Sequence, residues 1–463
     1  MSDAQNLVEN VRNRFGDRAA ITEPSDIEPW LTDWRGRFHG QTPGILSPAS
    51  TEEVADIVRM AAAHRVALVA QGGNTGMVGG ATPPPDGSAL ILSLRRMNKL
   101  RSIGAGVAVA EAGVILADLH ERAAETGQRF PLTLGARGSC TIGGLVSTNA
   151  GGTQVLKFGT MRSLVLGLEA VLPDGSIYDG LAALKKDNRG YNLDQLLTGA
   201  EGTLGVVTAA SLRLVPAVVA RAVAWAGLSD PQRALELLQF MQARTDRIEG
   251  FEIVPQDCLD LVLGHVPGTR NPLAGAHPWH VLIEATSDRA GEDPAALLQS
   301  LLAEALDHHL IEDATLSAND AQAEAFWRIR DSIAEAERAT GGSLAHDVSV
   351  PVPDMPRFMA DAAAAVEAKF AGTHASAFGH LGDGNVHFHV RGDAMRGQES
   401  DISHFVYDLV TRAGGSISAE HGIGQLKLEE LERLAPPAKL HAMQAIKQAL
   451  DPLGIMNPGK LVR

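Results

Sequence analysis

Apolar positions along the chain follow two rhythms. In the first half, short apolar runs alternate with helical patterns. Residues 45–46 form a brief strand, and Ser50 with Glu53 makes a capping box. Val54, Ile57, Val58, Ala61 and Ala62 then trace one face of a helix. Residues 66–70 read as a buried strand, followed by strands over 89–94 and 106–110 and a helix over 115–125 stopped by Gly127. Residues 165–172 and 177–178 form a hairpin about Asp174-Gly175, and the strand over 206–214 ends at Pro216. Residues 1–40 form a helical lead-in carrying Trp30 and Trp34. From residue 218 the rhythm changes. A strand at 223–225, a helix over 231–244, a strand at 281–284 and a helix over 294–308 give a ferredoxin-like alternation. An Ala-rich helix over 321–340 precedes an extended segment at 348–352.

Glycine is concentrated where these elements stop. Residues 71–80 hold five glycines directly after a strand, which suits backbone N–H groups closing on an anion. No Gly-Lys-Ser/Thr follows, so this is not a Walker A loop, and no helix pattern follows as in a Rossmann turn. A flexible surface loop explains that run equally well. Two further runs rich in Gly, Ser and Thr, over 134–152 and 198–205, change the balance. One dinucleotide held along its whole length explains all three.

A chain of 463 residues exceeds one ordinary core, so two or three domains are expected. The formal net charge of -15, from 55 acids and 40 bases, argues against nucleic-acid binding as the main business. Cys140 and Cys258 form neither a disulfide framework nor a cysteine zinc site. The first residues show no basic and apolar leader, and no run approaches the roughly 18 apolar residues of a spanning helix. A cytoplasmic protein without a transmembrane segment is the resulting expectation.

Residues 379–390 carry three histidines around a Gly-Asp-Gly turn. Alternation from Val386 places His387 and His389 on one strand face and Val386, Phe388 and Val390 on the other. The turn allows His380 to approach the histidine face. Such a group suits a divalent metal, and it equally suits a hairpin with incidental histidines. Arg328 and Arg330 lie at i and i+2 on a helix, so at most one faces a site, and Arg328 reads as a solvated charge. Glu420 and His421 sit side by side before a Gly-x-Gly turn.

Taken together, Gly72-Gly73-Asn74-Thr75-Gly76, residues 135–152, Lys186-Asp187-Asn188 with Gly190-Tyr191, residues 199–205, residues 380–387, Ser418-Ala419-Glu420-His421-Gly422 and Asn457-Pro458-Gly459-Lys460 form a specific set. The chain resembles the FAD-linked D-2-hydroxyacid dehydrogenases, the D-lactate and D-2-hydroxyglutarate group of the vanillyl-alcohol-oxidase/PCMH flavoprotein superfamily. The resemblance implies an α+β chain. After the lead-in (1–40) would come a PCMH-type FAD-binding domain of two α/β subdomains (41–217). A ferredoxin-like substrate cap (218–410) and a C-terminal helical segment packing back on the FAD domain (411–463) would follow. FAD would be held by Gly72, Gly73, Asn74, Thr75, Gly76, Gly79, Gly135, Ser139, Thr141, Gly144, Thr148, Asn149, Gly151, Gly202, Gly205, Val206 and Asn457. Relatives that tether the flavin often use a His in the first loop; here Asn74 implies non-covalent FAD.

The resemblance further implies a divalent metal, zinc or manganese first, on His380, His387 and Glu420, with His421 as the base. Arg330, Asn385, His389 and His346 would meet a small anionic hydroxyacid substrate. Ala334, Ala345 and His389 stand where relatives acting on 2-hydroxyglutarate carry Thr, Lys and Asn. The substrate therefore stays open among D-2-hydroxyglutarate, D-lactate and similar acids. Electrons would leave to a protein carrier or a quinone, from an enzyme expected as a homodimer. The alternatives are a metal-independent flavin oxidase of alcohols or aldonolactones and a non-catalytic electron-relay flavoprotein subunit.

Overall fold

A computed structural model describes residues 2–463. The chain forms two compact units. The first comprises residues up to 152, 158–217 and 420–463, and the second comprises 153–157 and 218–419.

Among the described residues, the first unit holds a four-stranded and a five-stranded sheet and one short strand pair. Strands β1 (Ala20–Ile21), β2 (Ile45–Leu46), β3 (Ala67–Gln71) and β4 (Ala89–Ser93) lie in the order β1-β2-β4-β3. The β2/β4 and β3/β4 pairs are parallel, which requires crossover connections rather than tight turns. The helix Thr51–His64 lies between β2 and β3, while β3 reaches β4 through a loop without a helix. Ser50 Oγ accepts the Glu53 N–H at 3.3 Å, Glu53 accepts the Ala49 N–H at 2.7 Å, and Arg65 closes the helix in the left-handed region. Val54, Ile57, Val58 and Ala61 pack with Leu46, Leu68, Leu90 and Leu92 in one core.

Strands β5 (Leu100–Gly104), β6 (Val107–Glu111), β7 (Gln128–Arg129), β8 (Val165–Val171), β9 (Ile177–Asp179), β10 (Val206–Arg213) and β11 (Val215–Pro216) follow. Five of them form the antiparallel sheet β5-β6-β10-β8-β9, and β7 pairs with β11. Leu116, Leu119, Phe130, Ile142, Leu168 and Leu212 share the second core. The C-terminal segment joins the first sheet: Met456 pairs in parallel with Leu68, and the Asn457 N–H donates to the Leu68 carbonyl at 2.9 Å. Lys447 Nζ donates to Asp451 (2.6 Å) and to the Met456 and Thr203 carbonyls (2.7 and 2.8 Å).

The second unit is built on one seven-stranded sheet, β15-β12-β14-β13-β17-β18-β16. Its strands are β12 (Ala220–Leu228), β13 (Ile248–Pro255), β14 (Trp279–Ser287), β15 (Asp313–Leu316), β16 (Leu344–Ser349), β17 (His374–His380) and β18 (Asn385–Arg391). Every pairing is antiparallel. The helices Gln256–His265, Asp320–Asp331 and Ile333–Ala339 cover the face carrying Trp225, Leu282 and Phe378. Two details differ from the sequence pattern. The helix expected over 321–340 breaks at Ser332, and β13 escapes the pattern because two buried glutamates interrupt its apolar run.

One ion pair with a buried carboxylate braces the five-stranded sheet. Glu169 on β8 accepts from Arg101 on β5 (3.0 Å), Thr51 (2.6 Å) and Thr208 (2.7 Å). Burial pushes the Glu169 carboxyl up, but the bonds from Arg101, Thr51 and Thr208 outweigh it and hold it below its ordinary value. A depressed carboxylate stabilises the fold above its unfolded pKa of 4.5 and loses that contribution as pH falls through its lower folded value. Glu169→Gln should cost about 1–3 kcal/mol at pH 7, the lower part of that range applying because Arg101 is partly exposed. Urea titration of wild type and variant should show the gap at pH 7 and its closure as pH falls from 4.5 through the lower folded value.

Candidate active site

The first unit contains a cavity of about 660 Å³, within the usual range for a bound cofactor. The three glycine-rich runs wall it. Gly72, Gly73, Asn74, Thr75, Gly76, Gly135, Ser139, Thr141, Gly144, Thr148, Gly151, Gly202, Gly205 and Val206 all line it. The walls stand as close as backbone allows: a Cβ at Gly73 would sit 1.9 Å from the Ser139 carbonyl oxygen, and one at Gly72 would sit 2.1 Å from Thr141 Oγ1. Other loop glycines face open space, since a Cβ on Gly76, Gly135 or Gly138 would meet nothing within 4 Å. Thr141 Oγ1 is buried with no hydrogen-bond partner among the described residues. Backbone that approaches closely, open Cα faces and an unpaired hydroxyl together fit a large polar ligand such as a dinucleotide.

Three residues expected at the cofactor do not line this cavity. Gly79 has φ +70° and abuts Phe38, where a Cβ would lie 2.7 Å from the ring. Asn149 ends the helix Ile142–Thr148 in the left-handed region and accepts the Arg162 N–H at 2.9 Å. Asn457 donates to the Gly80 and Glu201 carbonyls at 2.9 and 2.7 Å. The Asn149 and Asn457 side chains brace neighbouring loops.

Glu420 and His421 line the same cavity. So does Glu201, which the sequence reading passed over as one residue of a glycine-rich run. Its carboxylate accepts the N–H groups of Ile423 and Gly424, each at 2.8 Å. Burial pushes its pKa up, opposed by those two N–H groups and by Lys427.

The second unit gathers a polar cluster on the helix-covered face of its sheet. The hairpin β17–β18 pairs His380 with Asn385, and β13 pairs Glu252 with His380. Gly384, at φ +80°, makes the turn, where a Cβ would strike the Val350 carbonyl at 2.2 Å. Fully buried, Glu252 accepts from Arg330 Nε (2.7 Å) and His380 Nδ1 (2.5 Å). Burial raises its pKa, but His380 and Arg330 outweigh that and leave it below the ordinary value. The His380 and His387 rings meet edge-on, centroids 5.3 Å apart. Burial, then the charges of Arg330 and His380, hold His387 well below its ordinary pKa, so it is neutral at pH 7. Two converging imidazoles, one neutral and one oriented through Nδ1 by a carboxylate, fit part of a divalent-metal shell.

Phe378 sits at the centre of this group. The His387 and His389 rings lie 5.2 and 5.0 Å from it, and the Arg330 guanidinium 5.0 Å. His389 Nδ1 bonds Glu337 at 2.7 Å, and Glu337 Oε1 is unpartnered among the described residues. Asn385 donates to Asp347 (2.8 Å) and to the Val348 carbonyl (3.1 Å), while its buried Oδ1 has no partner among the described residues. Arg328 is exposed and bonds the Pro267 carbonyl at 3.0 Å. His346 needs correction as a substrate residue. Strand alternation pairs it with Phe388 and sends it to the opposite sheet face, where it bonds Ser403 at 3.0 Å and packs edge-on against Tyr407. Glu252, Glu337 and Asp347 are members the sequence reading missed; their one sequence signal is an acid inside an otherwise apolar strand or helix face.

Comparison with known proteins decides the family. Residues 42–180 match the FAD binding domain model, and 219–461 match the C-terminal domain of FAD linked oxidases. The chain is 39% identical to a mitochondrial D-2-hydroxyglutarate dehydrogenase of Bos taurus, over 96% of this chain and 81% of that protein. It belongs to the FAD-linked D-2-hydroxyacid dehydrogenase family. The Arabidopsis thaliana mitochondrial D-2-hydroxyglutarate dehydrogenase is 36% identical, covering 97% of this chain and 80% of that one. A putative mitochondrial D-lactate dehydrogenase of Schizosaccharomyces pombe is 34% identical, covering 95% and 86%. Among solved structures, alkyldihydroxyacetonephosphate synthase (TM-score 0.75, 16% identity, 98% of this chain and 86% of that one) and substrate-bound p-cresol methylhydroxylase (0.73, 17%, 99% and 96%) share the α+β fold.

The chain is thus an FAD-binding oxidoreductase, and the fold is that of the PCMH flavoproteins. The cytoplasmic expectation is overturned, because these relatives are named as mitochondrial enzymes. It rested on lacking a leader pattern, and such a lack does not assign a compartment. Among the described residues no helix is long and apolar enough to cross a membrane. Thr141→Val keeps shape but removes the unpaired hydroxyl. In this dehydrogenase it should weaken FAD binding about 3- to 10-fold by fluorescence titration, with an unchanged circular-dichroism spectrum.

Proposed function

We propose that the chain oxidises a D-2-hydroxyacid, D-2-hydroxyglutarate, D-lactate or a similar acid, to the 2-oxoacid. The observation that carries this reading is that His421 lines the cavity walled by the three flavin loops. The relatives' names supply the substrate class. Non-covalent FAD would take the C2 hydride at N5. His421 takes the hydroxyl proton, since an imidazole ordinarily titrates near neutrality. Arg330 holds the substrate carboxylate; its Nε stays on Glu252, so its terminal nitrogens make that contact. Asn385 Oδ1 and His389 meet the rest of the acid. His380, His387 and Glu420 are the ligands for zinc or manganese, which would lower the hydroxyl pKa and orient C2. Electrons leave to a protein carrier or a quinone, and the enzyme works as a homodimer.

His421→Ala should keep FAD but slow anaerobic flavin reduction by at least ~100-fold; an unchanged rate removes His421 as the base. His380→Ala should purify without the metal that elemental analysis finds in wild type. Chelation of wild type should abolish reduction, and added zinc or manganese should restore it. Full activity after chelation favours metal-independent oxidation instead.

A further inference from the structure

Within the run 198–205, Gly199, Gly202 and Gly205 all have positive φ, as glycine permits. Glu201 also has positive φ, 51°, without being glycine. A side chain in that region is strained, so something must compensate. Three segments meet on this residue, and two of them, through Ser147 and through Glu420 and His421, wall the cavity. Its N–H donates to the Ser147 carbonyl (2.8 Å), its carbonyl accepts from Asn457 (2.7 Å), and its carboxylate takes the N–H groups of Ile423 and Gly424. Nothing wider than glycine fits beside it at 422, where a Cβ would lie 2.7 Å from Glu201 Oε1. The turn is also held from its far side, where the Gln425 N–H donates to the Val78 carbonyl (2.9 Å) and the Gln425 side chain donates to Gly79 (2.8 Å).

We infer that Glu201 is a positioning residue for His421: by fixing the two N–H groups just after it, the carboxylate holds Glu420 and His421 toward the flavin cavity. The inference rests on the assignment of His421 as base. It makes the flavin loop and the proton-accepting segment one mechanical unit, since the residue that ends one wall anchors the other.

The test compares wild type with Glu201→Gln, both at saturating FAD. Glutamine offers one acceptor oxygen and sets an NH₂ against the other N–H. Hydrogen exchange of the Ile423 and Gly424 amides should be slow in wild type and at least about tenfold faster in the variant. The variant should keep its flavin. Its saturating rate of anaerobic flavin reduction by D-2-hydroxyglutarate or D-lactate should fall about 10- to 100-fold, with the concentration for half-maximal rate little changed. Rapid exchange of these amides in wild type overturns the inference whatever the variant does. So does an unchanged reduction rate, or flavin loss from the variant with amide protection intact. If neither acid reduces the wild-type flavin, the proposed function fails, while the exchange data still judge the anchor.

Discussion

A carboxylate buried in a sheet must be paired, and that constraint organises the second unit. Glu252 sits inside β13 with almost no exposure, between Arg330 and His380. Leaving such a charge unpaired costs several kcal/mol, so neither partner can drift without penalty. The pairing locks the helix Asp320–Asp331 to the hairpin β17–β18. It also sets the chemistry of His380: with Nδ1–H donating to the carboxylate, Nε2 is the nitrogen through which a neutral ring would coordinate. Arg330 is aimed the same way, its Nε spent on Glu252 and its plane over Phe378.

The first unit solves a different problem, that of enclosing a long polar ligand. Its means is backbone proximity. Gly72 and Gly73 let one loop touch the segment 139–141 at distances that side chains would forbid. The C-terminal segment is tied to this unit by pairing with Leu68 and by the Lys447 network. Glu201 repeats the logic of Glu252 with backbone N–H groups as the partners.

Much of this was legible in the sequence, for physical reasons. Glycine clusters after strands mark close backbone approach, and all three line the cavity. The period of two places His387 and His389 together and sends Phe388 away. That same period, applied to β16, would have turned His346 away from them; its register against β18 was the missing fact. The buried acids were not legible. A glutamate within a strand weakens the apolar pattern, so β13 was overlooked together with the residue that anchors the cluster. Glu201 was hidden among glycines, because its strained backbone is visible only in three dimensions. The departures at Ala334, Ala345 and His389 were read from the sequence, and the Glu337 partner of His389 adds a polar pair that the sequence did not announce.

The central claim is stereospecific oxidation at C2 by a flavin. Its most direct test mixes FAD-replete protein anaerobically with the D and L enantiomers of 2-hydroxyglutarate and of lactate, each also deuterated at C2. Flavin absorbance should bleach with a D acid, and C2 deuterium should slow the bleaching. Bleaching by L enantiomers alone, or by none of the four acids, would contradict the account.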